Sequence, residues 1–447
     1  MSSRMSEHTG APGAPALELL ESRVLMAGVG VDADFGGDGA LNPPAGGAFG
    51  DALALEYGNT FVELRYRSQT FVAKYTADGA LDPRWGNDGL AAVPFNVGQL
   101  VFNRKEGTGG SLYAASAAND GGVLRVLRMD ATGRTDASFG AGGLFTYALP
   151  AASGSTVTLT ADRLVSITRR WLLLGFERVT QTIANDVAGT TTGDTEIALM
   201  RLRANGTRDV SFGRRGVVTL LTGRYQRSST GGTVSGTFDR PTFGDVLPVD
   251  SGGFRVAFTR RFGTERAPKR AASATDATVQ IKSRLITAAG VDDGRAAYSW
   301  TLLTAQGDRS VQHDFDALLA SPDRSELAPN TTDGGYAVSV IGTLRTATGT
   351  STLAYRLTPG VRPAATAFGT PGLAVDRVAR NYIENGIFAA EDDGTIARFG
   401  RDFTLDRTFA GGAGVGRTAA QRDFRGIFPD GENGVLVVSA SAVERLP

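Results

Sequence analysis

The amino-acid sequence predicts an all-β chain folded as a single closed β-propeller. Three observations carry that reading. A motif recurs along the chain around an aromatic residue that glycine follows in most copies. Glycine is abundant, at 59 of 447 residues, beside short runs of Val, Thr, Phe and Leu and with no long amphipathic segment of helical period. The two chain ends each supply part of one repeat.

The repeat anchors are Phe35, Trp85, Phe139, Phe212, Phe315, Phe368 and Phe409, separated by 50, 54, 73, 103, 53 and 41 residues. A unit of about 50 residues with two enlarged copies is the scale of a four-stranded propeller blade. Three residues before the aromatic stands Asp32, Asp82, Asp136, Asp209 or Asp406. A short carboxylate there accepts backbone N–H bonds in a tight turn. Gly36, Gly86, Gly140, Gly213 and Gly369 follow the aromatic, and Gly39, Gly89, Gly143, Gly216 and Gly372 come three residues later. Such positions demand positive φ or close backbone approach.

Before each Asp a strand runs into a hairpin, as in FVAKYTADGALD and IALMRLRANGTRD, where Asp78-Gly79 and Asn205-Gly206 are strong turn signals. Eleven residues before the anchor lies a cation in four copies: Lys74, Arg128, Arg201 and Arg398. Hairpin geometry folds it back onto the Asp, which reads as a repeated structural ion pair. If exposed, each is worth about 0 to 1 kcal/mol. New strands begin after the glycines at Leu90, Leu144, Val217 and Leu373, and others lie in GGSLYAASA, RWLLLGFERV, GGFRVAFTRRF, GGYAVSVIG and NGVLVVSASAV. Several are apolar on both faces, as strands sandwiched between neighbouring blades must be.

The pattern Leu-x-x-x-Gly-x-x-Asp-x-x-Phe-Gly-x-x-Gly resembles the delta-60 repeat family of bacterial proteins. That resemblance implies a β-propeller without an established catalytic role. It spans roughly residues 28 to 447, is close in the first four copies, weaker around Phe315, and blurred at Phe409, where Ala410 and Ala413 stand in place of glycine.

Ring closure follows from the ends. The segment before Phe35 supplies the end of a unit, and Val415 to Arg445 supplies the beginning of one. Pairing Gly28 to Asp34 with the C-terminal strands joins them and leaves no open sheet edge. The count is then seven blades, or eight if residues 213 to 315 hold two blades with Phe262-Gly263 as a further anchor. Residues 1 to 27 form a separate segment expected to be disordered. Within it Leu20-Glu21-Ser22-Arg23-Val24-Leu25-Met26-Ala27 resembles the Leu-Glu-Pro-Arg-x-Leu-Leu segment of exported planctomycete-type proteins, with Ser22 and Met26 departing from it. The resemblance implies an extracellular or cell-surface protein. The other reading is a short amphipathic turn before the first strand.

The enlarged units place polar insertions at about residues 150 to 196 and 222 to 296. The second carries Arg266, Lys269, Arg270, Lys282 and Arg284 against Glu265 and Asp276, which reads as a solvated loop or a patch for an anionic polysaccharide. Lys plus Arg and Asp plus Glu balance at 46 each, which gives no field for nucleic acid or an acidic membrane. No cysteine is present, so disulfides, thiolate metal sites and thiol nucleophiles are excluded. No stretch reaches the roughly 18 apolar residues that span a bilayer.

The chain offers little for chemistry. Its two histidines are His8, in the tail, and His313, read as a turn residue. No nucleophile elbow, P-loop or dinucleotide fingerprint appears. The acids Asp32, Asp34, Asp38, Asp292, Asp293, Glu391, Asp392 and Asp393 lack calcium-loop spacing and read as turn residues. The expectation is a monomeric, non-enzymatic exported module without cofactor, metal or catalytic residues, whose partner is an unknown protein or polysaccharide. The alternative is a carbohydrate-active propeller enzyme using carboxylates in the central funnel.

Overall fold

A computed structural model describes residues 32 and 34–37. Between 40 and 446 it describes all but 56–57, 104–109, 117–121, 169–170, 184–188, 231–232, 249–252, 269–273, 307–311, 321–337, 347–348, 358–364, 368–376, 381–386, 392–393, 401–403, 411–413, 419–423 and 431–433. Among the described residues every regular element is a β-strand. In chain order they are β1 (Ala40–Leu41), β2 (Gly47–Ala54), β3 (Thr60–Tyr66), β4 (Gln69–Tyr75), β5 (Leu90–Val93), β6 (Val97–Asn103), β7 (Ser111–Ser116), β8 (Val123–Met129) and β9 (Leu144–Ala148). Long strands follow: β10 (Ser155–Thr168), β11 (Trp171–Ile183), β12 (Thr191–Arg203), β13 (Val217–Thr230), β14 (Thr233–Pro248), β15 (Phe254–Pro268), β16 (Ala274–Ile286) and β17 (Asp292–Gln306). The remainder are β18 (Gln312–Ala320), β19 (Val338–Thr346), β20 (Gly349–Leu357), β21 (Ala365–Ala367), β22 (Arg377–Arg380), β23 (Ile387–Ala390), β24 (Thr395–Phe399), β25 (Val415–Arg417), β26 (Phe424–Asp430), β27 (Gly434–Ser439) and β28 (Val443–Leu446).

The strands form antiparallel sheets in the orders β2-β3-β4-β5, β6-β7-β8-β9, β18-β19-β20-β21, β22-β23-β24-β25 and β26-β27-β28-β1, with one eight-stranded sheet, β10 through β17. The first strand of each four lies beside the next: β2 by β6, β6 by β10, β10 by β14, β14 by β18, β18 by β22, β22 by β26, and β26 by β2. The cores lie between sheets. Phe61, Val72 and Trp85 of one sheet pack on Val97, Leu100, Leu112 and Leu127 of the next. Phe35, Phe49 and Val62 meet Leu436, Val438 and Val443 in the same way. This double-sided packing is why β7 is buried at every residue and β27 at all but its first.

The anchor turns behave as local chemistry requires. Phe35, Trp85, Phe139, Phe212 and Phe409 are buried, and each donates its N–H to the carbonyl of the Asp three residues earlier. The carboxylates of Asp32, Asp82, Asp136, Asp209 and Asp406 accept the N–H two residues on, at 3.2, 3.1, 3.0, 3.3 and 2.9 Å. Gly86 takes φ 56°, and a Cβ there would stand 2.0 Å from the Leu90 carbonyl oxygen. At the last anchor Ala410 holds φ 57°, and Gly414, five residues after the anchor where Gly89, Gly143 and Gly216 are four after theirs, donates its N–H to the Phe409 carbonyl. A one-residue insertion explains the blurred motif.

Other expectations are corrected. Phe315 is not a turn residue; it lies within β18, opposite Gly342, at a β-bulge. Phe49 of β2 and Phe243 of β14 also begin bulges in first strands. The residues FGDAL, FGDVL and FDALL therefore mark a second repeat, at the first strand of a four rather than at the turn. Phe262-Gly263 sits in mid-strand in β15, opposite Asp239 and Phe238, so it is no turn anchor either. His313 is likewise a strand residue. The terminal pairing sets Ala40–Leu41, after the Phe35 anchor, against Val443 and Glu444, and before the anchor Asp32 donates its N–H to the Arg445 carbonyl. Residues 1 to 31, Phe368, Gly369, Gly372 and Leu373 lie outside the described residues.

Candidate ligand-binding cleft

Two features stand out, a structural clamp at these turns and a cleft among the long strands that run away from them. The structural feature is a clamp between sheets. Lys74–Asp82, Arg128–Asp136, Arg201–Asp209 and Arg398–Asp406 pair at 2.7, 2.6, 2.5 and 2.6 Å. These pairs are more buried than surface spacing suggests: the Asp209 side chain is wholly inaccessible. The arginines also lie over the anchor rings, Arg201 with its guanidinium carbon 4.6 Å from the centre of Phe212. Arg128 then reaches the carbonyl of Ala204 in a hairpin of the next sheet, at 2.6 Å, and Arg201 that of Ala288 in the β16–β17 hairpin of its own long sheet, at 2.5 Å. Gly140 and Gly213 donate their N–H to those same hairpins, at Asn205 and Ala289, and Gly86 donates to Thr132 in the hairpin after β8.

The structure adds two members that the repeat search missed. Arg284 and Asp292 keep the eight-residue spacing and pair at 2.7 Å, although Arg295 stands where the anchor aromatic belongs. Arg445, at the other end of the chain, accepts the Asp32 N–H on its carbonyl, lies 4.3 Å over the Phe35 ring and donates to Ala77 at 2.7 Å. Its distance from Asp32 in the chain hides it from any spacing search.

Opposite the anchor turns, three successive hairpins are drawn out. β11–β12, β13–β14 and β15–β16 all turn at the same edge of the long sheet, and β13 and β14 pair only near their tips, Gln226–Thr230 against Thr233–Thr237. The enlarged units are thus mainly long strands, not loops. Nearer the body, β14 crosses the face of β11–β13: the Thr195 hydroxyl donates to the Asp239 carbonyl at 3.1 Å, and a Cβ on Gly223 would stand 2.2 Å from that oxygen. Between them opens a cleft of about 520 Å³. Glu177, Gln181, Thr195, Tyr225, Arg227 and Arg240 are among the side chains lining it.

Each carboxylate in the cleft is engaged. Glu177 accepts the Phe243 N–H at the β14 bulge, at 2.8 Å, and burial pushes its carboxyl above the ordinary range against that bond. Glu63 of β3 likewise accepts the Val97 N–H at the β6 bulge, at 2.9 Å, so a bulge N–H taken by a glutamate of an earlier strand recurs in this fold. Glu196 is paired with Arg178 at 2.5 Å. Burial raises the Tyr225 phenol, and the nearby Arg240 opposes the rise. The charged stretch read as a solvated loop or a basic patch is divided. Lys282 donates to Ser299 and Arg284 is committed to Asp292, while Lys269 and Arg270 lie outside the described residues. Sequence reasoning passed over Tyr225, Arg227 and Arg240; RYQR in a predicted polar loop was the available signal.

Among the described residues no group of three or more His, Asp or Glu is placed to hold a metal, and no helix is long and apolar enough to cross a membrane. Of the remaining acids, Glu391 closes a hairpin with Gly394 and Thr395; Asp38, Asp392 and Asp393 lie outside the described residues.

These features describe an all-β repeat protein with a ligand-sized cleft on one face. Residues 186–212, covering β12 and the Phe212 turn, match a family model described as "Domain of unknown function (DUF5122) beta-propeller". The match supports a β-propeller family for this repeat. No curated protein matches the chain. Among solved structures it is similar to one titled "Structure of Dos1 propeller", at 9% identity and a TM-score of 0.38, over 89% of this chain and 78% of that one.

Proposed function

We propose that the chain is an exported, closed seven-bladed propeller of the delta-60 repeat kind that works as a non-enzymatic binding module. Supporting the ring are the circular succession of first strands, the β1–β28 pairing, and Arg445 serving Asp32 and Phe35 as Arg201 serves Asp209 and Phe212. Supporting seven blades is the division of the long sheet into β10–β13 and β14–β17, each with its own i, i+8 ion pair. Export rests on the Leu20–Ala27 segment, and fractionation of the native host checks it: a wholly cytosolic protein ends that part of the reading.

The observation that carries a binding role is the cleft itself. It is built by hairpins longer than the fold needs, and its carboxylates serve backbone and arginine instead of standing free. A second reading draws on Glu177 and Glu196 lining one cleft, as a carbohydrate-active enzyme would require. A glycan array combined with an assay for released sugar separates the two. Binding without turnover is expected; turnover abolished by Glu177→Gln would make the protein an enzyme.

A further inference from the structure

Building on the binding-module reading, we propose that the cleft between β11–β13 and β14 holds a segment of an acidic saccharide, with Arg240 taking its carboxylate or sulfate group. Arg240 is exposed, and its guanidinium carbon lies 5.4 Å from the centre of the Tyr225 ring. On the neighbouring strand Gly193 backs that ring: a Cβ at 193 would stand 2.2 Å from Tyr225 Cε1. Only glycine admits the ring in this position, and the ring in turn orients a planar guanidinium toward the cleft. A stacked arginine is pre-organised for two-pronged hydrogen bonding to an oxyanion.

The rest of the lining suits a polyol. Gln181, Thr191, Thr195 and Thr242 supply groups that both donate and accept, as sugar hydroxyls do. Val179, Pro241 and the Tyr225 ring add apolar lining on which the C–H face of a sugar ring can rest. Glu196 is matched by Arg178 and Glu177 by the Phe243 N–H, so neither stands unopposed against an incoming anion. The volume, about 520 Å³, falls within the usual range for small-ligand sites.

Calorimetric titration of the full chain with tetragalacturonate, a sulfated tetrasaccharide, a neutral tetragalactan and a tetraglutamate peptide tests this. Binding of at least one acidic saccharide is expected, and which of the two binds identifies the oxyanion. Arg240→Glu should weaken it at least tenfold with an unchanged melt. Arg240→Lys, which keeps the charge and loses the stacked fork, should weaken it severalfold, whereas Arg224→Glu, at a pair outside the cleft, should leave it unchanged. No binding of either acidic saccharide, equal binding of the neutral sugar or the acidic peptide, or full binding by Arg240→Glu overturns the proposal. If the acidic saccharides fail while an array finds another ligand, this assignment falls and the binding-module reading stands. Release of sugar would end the latter.

Discussion

At Asp209 one carboxylate, itself out of contact with solvent, accepts the Ser211 N–H and hydroxyl and pairs with Arg201. Removing one member of such a pair strands the other charge in a low-dielectric site. Asp209→Ala is therefore expected to cost about 3 to 5 kcal/mol in chemical denaturation. Arg224→Ala, which breaks an exposed pair with Asp194, should cost no more than about 1 kcal/mol. Acid gives a second check. Lys74 holds the Asp82 carboxyl low; at Asp136, Asp209 and Asp406 burial pushes up and is outweighed by Ser138, Ser211 and Thr408 together with the paired arginines. A depressed carboxyl adds stability that is complete above its unfolded value, near about 3.9, and is lost as pH falls through the folded value. The urea midpoint should thus hold between about pH 7 and 5 and fall below about pH 4. A midpoint unchanged down to about pH 2.5 would contradict these ion pairs.

The turn is the element on which the repeat depends, and its two variants predict opposite effects. Ala410 occupies a left-handed backbone position that costs an L-residue roughly 1 kcal/mol. Ala410→Gly should raise the melting midpoint slightly, by up to about 1 kcal/mol in stability. Gly86→Ala should lower it by about 2 kcal/mol or more, since the added Cβ meets the Leu90 carbonyl as well as the backbone strain. Equal responses at the two sites would mean that the Phe409 turn is not built like the Trp85 turn. The same elements explain the long strands: with β13 and β14 pairing only at their tips, two four-stranded units share one sheet while their bodies stack face to face.

At the scale of the whole molecule the ends matter most. Asp32, Phe35, Ala40 and Leu41 complete the sheet of β26–β28, and Arg445 reaches onward to the hairpin of the next sheet. Deleting residues 28 to 40 should lower the melting temperature strongly, because it opens a sheet edge and uncovers Leu436, Val438 and Val443. A melt left unchanged would refute the proposed closed ring.

By itself the sequence determined what is local: the strand-turn-strand unit, the Asp that caps each turn, and the cation eight residues before it. These contacts span two to eleven residues, so spacing alone places them, even where Gly414 has slipped by one position. Tertiary structure decided the rest. Phe315 looked like a turn anchor because Phe is common to both repeats; only strand pairing assigns it to the first-strand bulge with Phe49 and Phe243. Arg445 joins Asp32 across nearly the whole chain, and no local spacing encodes that. The cleft exists because β14 crosses β11–β13 closely enough for Gly193 and Gly223 to matter, a juxtaposition set by how the two halves of the long sheet stack and therefore invisible along the chain.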